Sequence, residues 1–177
     1  ATLEGAQQAG LPVWVGISCG FDDEPVSAEA VDKRAVAMEL APSRPMTMMN
    51  GRDLLSSAVT VLANKDVDVL NIMHTNVELI DACLEVVHEH WRGIVGVYAH
   101  SSKWVIPDGK EEGKQGYWEY DGVISPHDYS TASRRWLESG VQLIGGCCGT
   151  RPDHIEPLPG VCAACEAKVG RWKLTRL

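Results

Sequence analysis

The residues best equipped for chemistry lie in the string Ile144-Gly-Gly-Cys-Cys-Gly-Thr150. A thiolate is both a nucleophile and a metal ligand, and the vicinal pair Cys147-Cys148 offers two. Adjacent residues of a regular strand point to opposite faces, so both sulfurs can hold one ion only where the backbone bends. Gly145, Gly146 and Gly149 supply that freedom and let a bulky ligand approach the main chain, which makes Gly146 a candidate substrate contact. The alternative is a pair of buried free cysteines packed as small hydrophobes; the glycine-rich setting argues against it. Two thiolates do not complete a catalytic zinc site, which takes three protein ligands and an open position. His74 is the expected third ligand, set against its reading as a polar loop histidine. Cys19 is the soft ligand in reserve.

Cys162-Ala-Ala-Cys165 is a rival. With Cys147-Cys148 it would build a four-cysteine structural cage. A lone CxxC without a second well-spaced pair is weak evidence for that, and these two cysteines read as incidental. Cys83, His88 and His90 fall on or beside a helix face, where structural or solvated roles are expected.

The elements that position these groups follow from the apolar pattern. Leu11–Ser18, Val67–Met73, Ile94–Tyr98 and Val141–Gly145 are short apolar, β-rich runs that read as buried strands. Between them lie helical stretches. One is capped by Ser27 and runs to about Leu40. One opens at Asn50, with Leu54, Leu55, Ala58, Val61 and Leu62 as its stripe. One is capped by Asn76, with Val77, Ile80, Leu84, Val87 and Trp91 in line. The last long one starts at Ser125-Pro126-His127-Asp128, buries Tyr129, Ala132, Trp136 and Leu137, and closes at Gly140. Residues 99–124 read as a long polar loop. A short helix follows Thr150 and stops at Pro157, and residues 160–177 read as an irregular tail.

The order is β-α-β-α-β-α-β-α, which implies an α/β fold with a parallel sheet covered by helices. A four-stranded open sheet and half of a (β/α)8 barrel both fit, and both place chemistry beyond the C-terminal strand ends. Ser18 and Cys19 follow the first strand, His74 the second, Tyr98 and His100 the third, Cys147 and Cys148 the fourth. Ser18, Tyr98 and His100 are therefore candidate substrate contacts at the edge that carries the thiols.

The bulk numbers are permissive. The chain has 177 residues, 45% apolar and 23% charged, with a formal net charge of −8. An acidic chain without a Lys/Arg cluster is not expected to bind nucleic acid or anionic membranes. No run has the length of a membrane-spanning helix, and six cysteines in a chain of this size do not suggest a secreted disulfide framework. A reducing, cytoplasmic setting is expected. The first ten residues read as the end of a helix already under way, as in a chain cut within a larger domain.

The stretch Trp136-Leu-Glu-Ser-Gly140-Val-Gln-Leu-Ile-Gly-Gly-Cys-Cys-Gly-Thr-Arg-Pro-Asp-His154-Ile155 resembles the closing signature of the zinc-dependent homocysteine S-methyltransferases, which include betaine- and S-methylmethionine-homocysteine methyltransferases. Leu11-Pro12-Val13-Trp14, Asn50-Gly51 and the strand ending at Tyr98 support the resemblance, which covers about Leu11 to Leu158. It implies a (β/α)8 barrel, of which residues 1–177 would be the C-terminal half, strands five to eight. It also implies Zn²⁺ on Cys147, Cys148 and a third ligand. Homocysteine would enter the open position as a thiolate and attack the methyl of a small sulfonium or ammonium donor to give methionine. Association of such a half-barrel, including into a homo-oligomer, is expected from its open edges. Two departures stand out. The family's Asn-Cys after the sixth strand is Met73-His74 here, so the site would carry one His and two Cys. The Tyr-Pro-Asn after the seventh strand is Tyr98-Ala99-His100. The competing function is a non-catalytic barrel relative that keeps the thiols for structure or metal storage.

Overall fold

The alternation of β-rich runs with amphipathic stretches builds one parallel sheet backed by helices. A computed structural model describes residues 2–20, 45–101, 103–105, 117–120 and 124–169. The helix expected from Ser27 to Leu40 lies outside the described residues, as does much of the 99–124 stretch. The elements are α1 (Thr2–Gln7), β1 (Trp14–Ile17), β2 (Cys19–Gly20), β3 (Thr47–Met48), α2 (Leu55–Ala63), β4 (Val69–Asn76), a 3-10 turn (Val77–Leu79), α3 (Ile80–His90), β5 (Ile94–His100), β6 (Lys103–Val105), β7 (Tyr117–Glu119), α4 (Pro126–Glu138), β8 (Leu143–Ile144), α5 (Pro152–Ile155) and α6 (Leu158–Val169). The main sheet has four strands in the order β1-β4-β5-β8, and every pair in it is parallel. The four expected strands thus lie side by side in chain order. No helix among the described residues is long and apolar enough to cross a membrane.

Strand parity separates the two faces. Ile17, Ile72, Val97 and Ile144 are aligned across the sheet, and with Leu70 and Val95 they pack on Leu55 and Val59 of α2, Ile80, Leu84 and Val87 of α3, and Tyr129, Ala132 and Trp136 of α4. The other face carries Trp14, Gly16, Asn71, Met73, Gly96 and Tyr98, and Trp14 is 55% exposed there. Burying one large apolar side chain is worth about 1.5–3 kcal/mol, so the helix-covered face supplies most of the stabilisation.

Helix stripes follow the expected spacing in α3, where Val77, Ile80, Leu84, Val87 and Trp91 are all buried, and in α4, where Tyr129, Ala132, Trp136 and Leu137 are. Four expectations change. Asn50 does not open a helix: its Oδ1 accepts from the Arg52 and Asp53 N–H groups, forming a turn, and α2 begins only at Leu55. Its buried stripe is Leu55 and Val59, while Leu54 and Val61 are exposed. Asn76 precedes a 3-10 turn without a side-chain cap bond. The tail past Gly160 is helical to Val169. Pro159 sits in the first turn of α6, where a missing N–H costs nothing, and Leu158, Val161 and Cys165 are buried at helical spacing, the latter two against Leu137. The polar stretch after β5 contributes an antiparallel β6–β7 pair.

Ser125 caps α4 as expected: its Oγ accepts from the Asp128 N–H at 3.1 Å and donates to the Asp128 carboxylate at 2.7 Å, with Pro126 at the first helical position. Ser125→Ala should cost about 1 kcal/mol, measured as a lower urea midpoint with an unchanged slope.

Candidate metal centre

His74 belongs by parity to the helix-facing set, two residues past Ile72. It does not stay there. Register between β4 and β5 breaks between Met73 and Asn76, and His74 has φ +46°, in the left-handed region. A bulge of this kind re-aims a side chain. Thr75 pins it: its buried hydroxyl accepts from the Cys19 N–H at 2.9 Å and donates to the Met73 carbonyl at 2.9 Å.

Cys147 and Cys148 are placed by a bent continuation of β8. The Cys147 N–H donates to the Ala99 carbonyl and the Ser101 N–H to the Cys148 carbonyl, both at 3.0 Å. The chain then turns, with the Thr150 N–H and hydroxyl on the Cys147 carbonyl at 3.2 and 2.5 Å. Gly149 makes the turn possible. Its φ is +76°, and a side chain there would run into the Ser101 and Tyr120 carbonyls.

The result is convergence. His74 Nδ1 lies 3.7 Å from the Cys148 Sγ and 3.9 Å from the Cys147 Sγ, and the two sulfurs are 3.7 Å apart. Among the described residues, these are the three whose donor atoms could hold one metal ion, all within 4.8 Å of one another. Burial raises the Cys148 thiol pKa, and the hydrogen bond and charge of Cys147 raise it further. Two neighbouring thiols resist joint ionisation unless a cation sits between them. The donor set and its spacing therefore suit a soft or borderline dication such as Zn²⁺.

The surroundings are mostly neutral. His100 is buried, with Nδ1 3.3 Å from His74 Nδ1; burial first, and His74 second, hold its pKa down at about 4. Tyr98 is half-buried on the open face, its hydroxyl over Gly16 of β1; burial and then Cys147 push it up. Tyr120 faces His100 edge-on at 6.5 Å between ring centroids, and it is raised by burial, then by Cys148 and Cys147. Tyr129 reaches under the centre from α4, donating to the Gly145 carbonyl at 2.6 Å. Tyr120, Thr75 and Tyr129 at this site escaped the sequence reading. Tyr120 sat in a stretch with no periodicity, and Tyr129 was legible only as core.

Other expected residues fall elsewhere. The space beside the Gly146 Cα is taken by Thr150 and Ile155, so its missing side chain makes room for the protein itself. Ser18 lies between β1 and β2, its carbonyl bonded to the Met49 N–H at 2.8 Å. Cys19 turns into the core, and its hydrogen bond to Cys83, ahead of burial, drives the Cys83 pKa well up. Cys165 is buried beside Leu137 and Val161, with Cys162 against the same cluster, which gives both a packing role and leaves them out of the His74 group. The His154 ring ties the segment after the cysteines to Ile124, with Nε2 3.1 Å from the Ile124 carbonyl, while Nδ1 accepts from the Arg151 N–H at 3.2 Å.

The left-handed conformation at His74 has a measurable cost. In metal-free protein, His74→Gly should be more stable than His74→Ala by about 0.75 kcal/mol at mid-range values, from ~1–2 kcal/mol of relieved strain less ~0.5–1 for glycine's freer unfolded state. Urea midpoints decide it; equal midpoints would show that alanine relaxes the bulge.

Comparison with known proteins gives the family. The sequence profile of the family described as Homocysteine S-methyltransferase matches residues 1–161. Homocysteine S-methyltransferase YbgG of Bacillus subtilis (strain 168) is 26% identical over 95 residues, 54% of this chain and 28% of that protein. Selenocysteine Se-methyltransferase of Brassica oleracea var. italica is 31% identical over 62 residues, 35% of this chain and 16% of its own length. Selenocysteine methyltransferase of Astragalus bisulcatus is 40% identical over 38 residues, 22% and 11% of the two chains. Each match thus spans less than a third of the relative's length. With the profile running through all four strands of the sheet to the first turn of α6, the chain belongs to the homocysteine S-methyltransferase family.

Proposed function

We propose that this chain is the metal-binding part of an S-methyltransferase that moves a methyl group from a small sulfonium or ammonium donor to the sulfur of homocysteine. The observation that carries this reading is the meeting of His74 Nδ1 with the Cys147 and Cys148 sulfurs at 3.7–3.9 Å. They meet beyond the C-terminal ends of parallel strands, where α/β folds place their chemistry. Zinc held by these three residues would lower the pKa of an entering thiol and present it as a thiolate.

The remaining work belongs to the chain. As a metal ligand His74 would contribute an imidazole, which brings no negative charge, where the family pattern has a thiolate. The donor set is therefore less negative, which favours ionisation of the entering thiol and reduces its nucleophilicity. Tyr98 and Tyr120 stay protonated, since burial and the nearby thiols both raise them, and can donate hydrogen bonds without adding charge. In the transfer, the acceptor thiol loses its proton and its sulfur forms the new S–CH₃ bond. The donor's bond to that methyl breaks, and the bonding pair returns to the donor sulfur or nitrogen. Two of the relatives are named for selenocysteine, so a selenol acceptor is the alternative to test beside homocysteine.

The architecture we propose is part of a (β/α)8 barrel. Chain-order parallel pairing, helices on one face and the half-open Trp14–Met73–Tyr98 face support it. Sheet edges and an uncovered apolar face favour association. Residues 1–177 alone should therefore sediment as a mixture of associated species; a sharp, monomeric thermal transition would count against the barrel.

The direct test uses the complete protein. Loaded with zinc, it should transfer methyl from S-methylmethionine or betaine to homocysteine, and chelation should abolish this. His74→Ala and Cys147→Ser should each lower zinc affinity and kcat/KM by more than the ~10–100-fold typical of losing an outer-shell partner. Stoichiometric zinc in His74→Ala would remove His74 from the site.

A further inference from the structure

Tyr129 stands in the first turn of α4, fully buried, with its ring edge-on to Trp136 at 5.8 Å and to His154 at 5.9 Å between centroids. A phenylalanine ring would fill that space equally well, so packing leaves the hydroxyl without a role. The hydroxyl donates to the Gly145 carbonyl at 2.6 Å and stands 3.4 Å from the Ala99 carbonyl. A phenol has one proton to give, and the short bond to Gly145 takes it. Burial first, and Cys147 next, push the phenol well above its ordinary range, so the group remains a donor.

These two carbonyls lie where the sheet gives way to the site. β8 ends at Ile144, opposite Val97, and the Gly145 N–H still donates to the Val97 carbonyl. An unbroken parallel ladder would next set the Ala99 N–H against the Gly145 carbonyl. Tyr129 reaches that carbonyl from the helix side. The Ala99 carbonyl beside it accepts from the Cys147 N–H at 3.0 Å, the bond that seats the first thiol. One side chain of α4 thus touches the end of β5 and the last carbonyl but one before Cys147. The chain between, Gly145-Gly146, has the freedom of two glycines, and its direction decides where both sulfurs go.

We propose that Tyr129 is a positioning residue for the metal centre: its hydroxyl fixes the Gly145 carbonyl, so that the chain enters Cys147-Cys148 at the angle that brings both sulfurs to His74. This rests on the zinc reading above. Tyr129 touches none of the three donor atoms and acts only through the main chain. A donor carried on a helix restrains the bend more tightly than the bend restrains itself, which is how a supporting shell holds a site to its working geometry.

Tyr129→Phe in the complete protein removes the hydroxyl and keeps the ring in its packing. Ser125→Ala is the control, since it loosens the same helix at its cap and touches neither carbonyl. Zinc affinity in a chelator competition should fall by at least ~10-fold in Tyr129→Phe, the scale of a lost outer-shell partner, and stay unchanged in Ser125→Ala. In cobalt-loaded protein, the thiolate-to-metal absorption should persist, because both sulfurs remain, while the ligand-field bands shift in Tyr129→Phe alone. In metal-free protein, amide hydrogen exchange at Cys147 should be faster in Tyr129→Phe alone. Unchanged zinc affinity, unmoved cobalt bands or unchanged Cys147 exchange in Tyr129→Phe would overturn the proposal, as would equal effects in both variants. With sulfur-bound zinc in the wild type, such a result leaves the zinc reading standing. Wild-type protein that takes up no sulfur-bound metal would overturn that reading and this proposal together.

Discussion

The left-handed residue at the end of β4 is the constraint on which the site depends. An unbroken strand would send His74 toward the helices with Ile72, into a face already filled by Leu55, Ile80 and Leu84. The register break and the φ of +46° turn it out of that face. A non-glycine residue held there costs on the order of 1–3 kcal/mol, tolerated only where the surroundings over-determine it. Here they do. Thr75 ties the bulge to the start of β2 and to its own strand, while Val77 and Ile80 anchor the chain in the core just beyond. An observed outlier of this kind, at a cluster of soft ligands, points to function.

A second restraint couples the cysteines to β5. The parallel ladder does not stop with the short β8; it continues through Cys147 N–H to Ala99 and Ser101 N–H to Cys148. The Gly149 turn then packs its bare Cα against the carbonyls of Ser101 and Tyr120. The end of β5 and the cysteine segment are thereby held in fixed relation by main-chain bonds, which do not depend on rotamers. Sites built on such elements keep their geometry better than sites on loops. The thiol pair supplies a load that a cation can relieve, since Cys147 raises the Cys148 thiol.

Much of this was legible in the sequence, for physical reasons. The IGGCCGT string declared its bend through its glycines, and His74, Cys147 and Cys148 were brought together at the edge where the strand order placed them. The four strands and the stripes of α3 and α4 announced themselves by periodicity and capping. The left-handed bulge was not legible, because no glycine marks it; only a histidine, among the residues that enter that region more readily, stands there. Asn50 showed why a capping residue type is ambiguous: the side-chain geometry that caps a helix also closes a turn. The α6 helix was missed because Pro157 was read as a stop and residues 160–177 as an irregular tail, although Leu158, Val161 and Cys165 kept helical spacing. Tyr120 comes to the centre through a tertiary approach that local pattern does not encode. Gly146 was assigned to a ligand, but its space belongs to Thr150 and Ile155.

In the proposed zinc site, an imidazole in place of a thiolate at residue 74 would bear on more than zinc affinity. Around a dication, two thiolates leave no net charge, whereas three leave one negative charge. A neutral centre attracts an entering thiolate more strongly and holds it more firmly. A thiolate held more firmly is a poorer nucleophile, so such a centre trades reactivity for ionisation of the acceptor. That balance favours acceptors that remain reactive when tightly bound, and donors whose methyl is already activated by positive charge on sulfur or nitrogen. It also explains why a neighbouring neutral group would suit this pocket better than a charged one. A cation there would compete for the thiols, and an anion would restore the negative charge that His74 removes. Among the described residues, Tyr98, Tyr120 and His100 are polar side chains close to the thiols, and burial shifts each further toward its neutral form, raising the two phenols and lowering the imidazole.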